Sequence, residues 1–211
     1  MLTDIRITDI TLTKRGLNAL FCDKGFLFSV DDMVLYKNDI KLGSCFTRQE
    51  LDCIYKESET AKAVEKCYTL LSMRMHSSKE LADKLQRKFD RETALAAVEK
   101  CRENGLVDDE KFALLKAEYM LNVKKYSQRQ AVAKLLRLGI DKETAHSVVN
   151  RFAPRDIPGQ IAEIIQKKYA SKLNRPDKVT AALMRRGFKY GDIKAAMKLL
   201  DIDTESELQE I

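Results

Sequence analysis

Five basic side chains, Lys124, Lys125, Arg129, Lys134 and Arg137, crowd one short stretch, and no Asp or Glu interrupts residues 121 to 140. Arg137 closes a Leu-x-Arg triplet of a kind found upstream of each of three apolar helical stripes, as Leu85-Gln86-Arg87, Leu135-Leu136-Arg137 and Leu183-Met184-Arg185. Lys84 and Lys134 lie one turn before the arginine in two copies, and Arg186 follows it in the third. Cations at recurring positions suit a partner with recurring negative charge, either nucleic-acid phosphates or an acidic protein groove. A solvated helix face accounts for any one of them; their recurrence in register is what singles them out. Tyr126 and Tyr190 interleave these bases and have faces that can stack on nucleobases, although an aromatic ring beside a turn more often packs.

No catalytic constellation accompanies this set. His76 sits at a helix start and His146 follows Ala145 in an apolar stripe, where it reads as an edge-of-core residue. Neither has a nucleophile or paired carboxylates spaced around it. Asp108 and Asp109 are better explained as helix-capping carboxylates than as metal ligands. Cys22, Cys45, Cys53, Cys67 and Cys101 form no Cys-x-x-Cys pair and no zinc-ligand spacing with either histidine, so they read as reduced thiols. No glycine-rich phosphate loop is present. The expectation is a binding protein, not an enzyme, without cofactor or metal.

The charge is unevenly distributed. Residues 1 to 60 hold 8 basic and 10 acidic side chains, residues 121 to 200 hold 18 and 6, and residues 201 to 211 hold five acids and no base, within an overall charge of +6. One long segment is therefore strongly basic, which again points to a polyanionic partner. With 45% hydrophobic and 33% charged residues, the composition fits a folded, helix-rich chain. Neither a membrane span nor a secretory leader is apparent, so the expected compartment is the cytoplasm. A monomer is expected, though nothing in the sequence gives the oligomeric state.

These residues must be positioned by helices. Apolar quartets at i, i+3, i+4, i+7 recur as Ala94, Ala97, Val98, Cys101, as Ala145, Val148, Val149, Phe152, and as Ile193, Ala196, Met197, Leu200. Each marks one buried helix face. The second and third copies superpose, Leu-x-Arg included, at a constant offset of 48. An earlier stripe precedes each copy: Val64, Cys67, Tyr68, Leu71, Met75; Phe112, Leu115, Tyr119, Val123; Ile161, Ile164, Ile165, Tyr169. Three helices per repeat and three repeats follow.

The joints carry matching punctuation. Ser77-Ser78-Lys79-Glu80 and Ser127-Gln128-Arg129-Gln130 have capping-box form, and Asn174-Arg175-Pro176-Asp177 offers a cap residue and an early proline. Gly139 and Gly187 end the middle helices of the second and third repeats as C′ residues, whereas the first has Lys88-Phe89-Asp90 there. Between the first and second repeats runs Gly105-Leu106-Val107-Asp108-Asp109-Glu110-Lys111-Phe112-Ala113, a glycine stop followed by an acidic helix start. Upstream, residues 3 to 30 have β-like alternation, with a turn at Asp23-Lys24-Gly25. A short helix follows from about Asp31 to Lys37, and Thr47-Arg48-Gln49-Glu50 opens another.

The period does not fit the roughly 34-residue tetratricopeptide or 33-residue ankyrin repeat. The Gly105–Ala113 joint and the three registered repeats instead resemble the RecX family of bacterial modulators of the recombinase RecA. That resemblance implies a mainly α fold: three tandem three-helix repeats forming an elongated curved array, preceded by a small α+β unit. The expected segments are the α+β unit at 1–58, repeats at 59–107, 108–155 and 156–202, and an acidic tail at 203–211. The resemblance further implies binding to the RecA filament on single-stranded DNA and inhibition of its ATPase, strand-exchange and coprotease activities. Single-stranded DNA itself would be held weakly and without sequence preference. Lys84, Arg87, Lys124, Lys125, Arg129, Lys134, Arg137, Arg185 and Arg186 are the candidate contacts. A helix-turn-helix regulator reading duplex DNA is the alternative, and a pure protein scaffold the third reading.

Overall fold

The computed structural model describes residues 4–202, so the expected acidic tail lies outside the described residues. The alternating N-terminal segment forms β1 (Ile5–Leu12), β2 (Asn18–Cys22) and β3 (Gly25–Val30), followed by α1 (Asp32–Lys37) and a two-residue strand β4 (Cys45–Phe46). The strands make one antiparallel sheet in the order β3-β2-β1-β4, with Leu12 opposite Asn18 and Cys22 opposite Gly25 across the turn at Asp23-Lys24. Ile7, Leu20 and Val30 from the sheet meet Val34, Ile40 and Ile54 in one apolar cluster.

The next helix, α2 (Arg48–Met73), belongs to this cluster and to the following one. Thr47 and Glu50 close a full capping box at its start, with the Glu50 amide donating to Thr47 Oγ1 at 3.2 Å and the Thr47 amide donating to Glu50 Oε2 at 2.7 Å. Neither glycine nor proline occurs between Ser44 and Asn104. The helix therefore runs unbroken across position 58, where a boundary between the α+β unit and the first repeat was expected. Ser58 Oγ and Lys62 Nζ both donate to the Ser29 carbonyl, at 2.9 and 2.7 Å, fastening the middle of α2 to the end of β3.

Eight further helices follow: α3 (Ser78–Leu85), α4 (Arg91–Glu103), α5 (Asp109–Glu118), α6 (Gln128–Arg137), α7 (Lys142–Arg151), α8 (Ile157–Lys168), α9 (Pro176–Arg185) and α10 (Tyr190–Leu199). A π-helical turn extends α5 over Tyr119–Val123, and a 3₁₀ turn at Ala170–Lys172 follows α8. Each set of three has its own core. Leu81, Leu85, Ala94, Ala97 and Cys101 centre the first, Ala117, Leu135, Ala145 and Val149 the second, and Ile161, Ile165, Leu183, Ile193 and Met197 the third. The leucines of the three repeat triplets are buried, at 1%, 0% and 0% exposure for Leu85, Leu135 and Leu183. The chain divides into two compact units between Val107 and Asp108, inside the glycine-to-aspartate joint.

Several local expectations need correction. In α5 the buried residues are Phe112, Ala113, Ala117, Met120 and Leu121, whereas Leu115, Tyr119 and Val123 are exposed. Both faces of that helix carry large apolar side chains, so their spacing alone did not decide which face packs. In α2, Tyr68 and Met75 beyond it are likewise exposed. His146 is exposed on α7 and is not at the core edge. The N-cap of α9 is Arg175, not Asn174, because Pro176 occupies the first helical turn and keeps the preceding residue out of the helical region. The first repeat makes its turn without glycine: the Phe89 amide reaches back to the Leu85 carbonyl at 2.9 Å, and the Phe89 ring is buried.

Candidate functional site

Ser127 is the joint from which the basic region is built. It caps α6 by accepting the Gln130 amide at 3.1 Å, and its hydroxyl donates to the Arg186 carbonyl at 2.5 Å. Arg186 returns a hydrogen bond from Nη2 to the Lys125 carbonyl at 3.3 Å and lies 5.7 Å from the Phe188 ring. The start of α6 is thus tied to the end of α9. Gly187 fits between them with φ +86°, and its amide donates to the Met184 carbonyl as α9 ends. A Cβ there would stand 2.8 Å from Ser127 Oγ and 3.2 Å from Arg129 Cβ, so glycine is needed for the approach as well as for the conformation.

Between α6 and α9 this joint leaves a groove of about 490 Å³ lined by Arg129, Lys134, Arg137, Arg185 and Arg186, with no carboxylate from the described residues in its wall. Four of these cations are exposed, and Arg186 is half-buried. Among the described residues, Arg129, Lys134, Arg185 and Arg186 form no ion pair. Lys134, Arg137 and Arg185 also lie in the last turns of their helices, where positive charge offsets the dipole. That role accounts for their local stability but not for the convergence of two helices' cations on one cleft. Gln130 adds a buried carbonyl oxygen with no hydrogen-bond partner among the described residues, so the expected Ser127–Gln130 box is closed on one side only.

The remaining candidates fall elsewhere. Lys124 and Lys125 leave the π-helical turn, and Lys125 adopts φ +53°. Lys124 Nζ lies 5.4 Å from the Tyr119 ring centre, and the Tyr119 hydroxyl beside it raises the ammonium's pKa above its ordinary value. Lys125 Nζ is 3.8 Å from Glu163 on α8, a carboxylate that also faces Lys167 at 3.7 Å, which draws part of its charge away from any outside partner. Lys84 and Arg87 belong to the first compact unit. Lys84 is half-buried in the last turn of α3, and Arg87 lies past the Gln86 cap, whereas Arg137 and Arg185 are each the last residue of their helix. The shorter α3 breaks the equivalence that the triplet implied.

Sequence reasoning passed over a second ionic cluster, at the start of α3. Arg74 binds Glu80 through both guanidinium nitrogens, Nη1 at 3.0 Å and Nη2 at 2.5 Å, and His76 Nδ1 lies 3.0 Å from the same carboxylate. The Arg74 hydrogen bonds, with a smaller share from His76, push the Glu80 carboxyl down from 4.5 to about 2. Burial pushes the His76 imidazole below 6.5, against the opposing pull of Glu80. Both groups therefore bind protons more weakly in the folded chain, and the stability they carry is present above their unfolded values and lost on acidification. The His76 share falls away below 6.5 and the Glu80 share between 4.5 and about 2. Glu80→Gln is expected to cost about 2 kcal/mol at neutral pH and to flatten the acid limb of stability against pH. Urea titrations across that range check it, and an unaltered acid limb would refute the assignment.

Cys67 and Cys101 are buried together between α2 and α4, and burial raises the Cys67 thiol to about 12. Among the described residues, no group of three or more His, Cys, Asp or Glu is arranged to hold a metal ion, and no helix is long and apolar enough to cross a membrane.

A family model described as the first three-helix domain of RecX matches residues 63–101, the stretch from the second half of α2 to Cys101 of α4. The regulatory protein RecX of Caldanaerobacter subterraneus subsp. tengcongensis is 28% identical over 181 residues, covering 85% of this chain and 91% of that protein. The regulatory protein RecX of Bacillus subtilis is 29% identical over 216 residues, covering 95% and 81%. A crystal structure of regulatory protein RecX superposes with a TM-score of 0.68 at 20% identity, covering 92% of this chain and 99% of that one. RecX from Lactobacillus salivarius superposes at 0.56, covering 69% and 98%. The family model lies within the first compact unit, whereas the likenesses to these relatives and solved structures extend over both.

Proposed function

We propose that the chain, which is similar along most of its length to regulatory proteins named RecX, binds the RecA recombinase filament on single-stranded DNA and curbs ATP hydrolysis, strand exchange and coprotease activity. The observation that carries this reading is the α6–α9 groove, where five cations converge without a carboxylate from the described residues in the wall. A cleft of that charge suits the phosphates of a filament's strand or the acidic side chains that flank it. Lys124, Lys84 and Arg87 add cations outside the groove. The segments then divide the work: the helical repeats follow the filament, and the α+β unit closes the first of them.

The proposed mechanism is one of differential affinity. A protein that touches neighbouring recombinase subunits shifts the filament only as far as it binds one inter-subunit geometry better than another. The chain acts as a monomer in the cytoplasm, without cofactor, metal or catalysis of its own. Titration into a RecA ATPase assay on single-stranded DNA tests the proposal. Inhibition is expected at concentrations well below those that coat the DNA alone; inhibition only at coating concentrations would contradict it.

A further inference from the structure

Beside the basic groove, and sharing Arg129, Met184 and Gly187 with it, lies a cavity of about 510 Å³ within the second compact unit. Its aromatic lining comes from Tyr126, which follows the π-helical turn, and from Phe188 and Tyr190 at the start of α10. Gln160 of α8 also lines it. This glutamine is only 6% exposed, and both its Oε1 and its Nε2 are buried without a hydrogen-bond partner among the described residues. A buried amide left unpaired at both ends is costly, and a leucine or methionine would fill the position at less expense. The polar group is explained by a ligand that completes it.

The chemistry of the lining narrows that ligand. A primary amide offers an acceptor and a donor side by side in one plane, and its complement is a planar edge with a donor and an acceptor at the same spacing. Nucleobases have such edges, and they are flat enough to lie against aromatic rings. The volume falls within the range of ordinary small-ligand sites. Arg129 and Lys189 supply positive charge for a phosphate, and Asp192, the one carboxylate among the described residues of the lining, can accept from an exocyclic amino group. An amide-bearing peptide side chain would satisfy Gln160 but would use neither the aromatic walls nor the two cations.

We propose that this cavity takes a nucleobase carrying a phosphate, one unstacked base of a single strand whose neighbouring phosphates lie in the α6–α9 groove. The assignment rests on the reading of that groove as a phosphate site. Gln160 reads the base edge, Tyr190 and Tyr126 stack on it, and Arg129 spans both compartments.

The test uses the full chain without recombinase, in fluorescence anisotropy with a short labelled deoxyadenylate oligomer and an abasic oligomer of equal length. The wild type is expected to bind the intact strand roughly tenfold more tightly than the abasic one, as loss of a stacked, hydrogen-bonded base implies. Gln160→Leu is expected to melt at the same or a higher temperature, to lose that discrimination, and to keep the salt dependence set by the phosphates. Tyr190→Ala, at a side chain already 56% exposed, is expected to lose discrimination without a stability change. Adenosine monophosphate as competitor separates the sources: displacement places the specificity in a free nucleotide, and its absence places it in the strand. Equal binding of the two oligomers by the wild type would overturn the base site while leaving the groove intact, and would turn the cavity over to a peptide. Failure of both oligomers to bind, with no salt dependence, would overturn the groove and the base site together.

Discussion

Replacing Arg129, Lys134, Arg137 and Arg185 by glutamate is expected to raise the half-inhibitory concentration against RecA ATP hydrolysis about 100-fold or more, with the fold retained. All four side chains are exposed, and Leu135 and Leu183 hold their helices in place from the opposite face. A cation that touches a single-strand phosphate contributes roughly 0.7 to the slope of log affinity against log salt, so removing four contacts flattens that slope by about three. Reversal does more than removal, because a phosphate then meets a carboxylate in the same cleft. Circular dichroism and thermal unfolding would show the helices intact. Lys84→Glu with Arg87→Glu, on the first compact unit, is expected to have a smaller effect, since the groove is built wholly within the second. Inhibition unchanged by the fourfold reversal would remove the groove from the mechanism.

The second large effect concerns Gly187. Gly187→Ala is expected to cost about 2–4 kcal/mol, as a positive-φ alanine and a forced displacement in a packed joint together imply. The new methyl would meet Ser127 Oγ at 2.8 Å, and that oxygen is fixed by the Gln130 amide and the Arg186 carbonyl. It can yield only by giving up the α6 cap or the link to α9. Gly105→Ala provides the comparison, because Gly105 has φ +68° but, its chain neighbours aside, no atom of the described residues within 4 Å of the place its methyl would take. Its expected cost is about 1 kcal/mol, the conformational share alone. Urea unfolding of the two variants separates the contributions, and equal losses would show that the α6–α9 joint carries no packing constraint. DNA binding by Gly187→Ala should fall as well, since Arg129 and Arg186 flank the displaced contact.

Much of this arrangement was legible in the chain. The quartets Ala94 to Cys101, Ala145 to Phe152 and Ile193 to Leu200 pack as their spacing implied, because small and large apolar residues at helical period leave one face to bury. Gly105, Gly139 and Gly187 all take positive φ, as residues following an apolar helical stripe should. The aspartate starts were only partly read. Asp108 caps α5 as expected, and Asp90, Asp141 and Asp156 cap α4, α7 and α8 by the same side-chain bond to the third amide.

What escaped the sequence depends on contacts between segments far apart in the chain. Arg129 and Arg185 both stand out as basic residues, but nothing in their spacing says that they line one cleft. Gln160 sits in an apolar helix, and only the finished cavity shows that its amide has no partner among the described residues. The π-helical turn at Tyr119–Val123 has no local signature, yet it decides where Tyr126 and Lys124 emerge. The unbroken α2 was hidden by the change from strand-like to helical patterning upstream of it.

The most direct test of the central claim compares affinities, by anisotropy at one salt concentration, for a preassembled RecA filament on a labelled strand and for the same strand naked. The account predicts at least about tenfold tighter binding to the filament, lost when Arg129, Lys134, Arg137 and Arg185 are reversed. Equal affinity for filament and naked strand, or filament binding indifferent to the reversal, would contradict it.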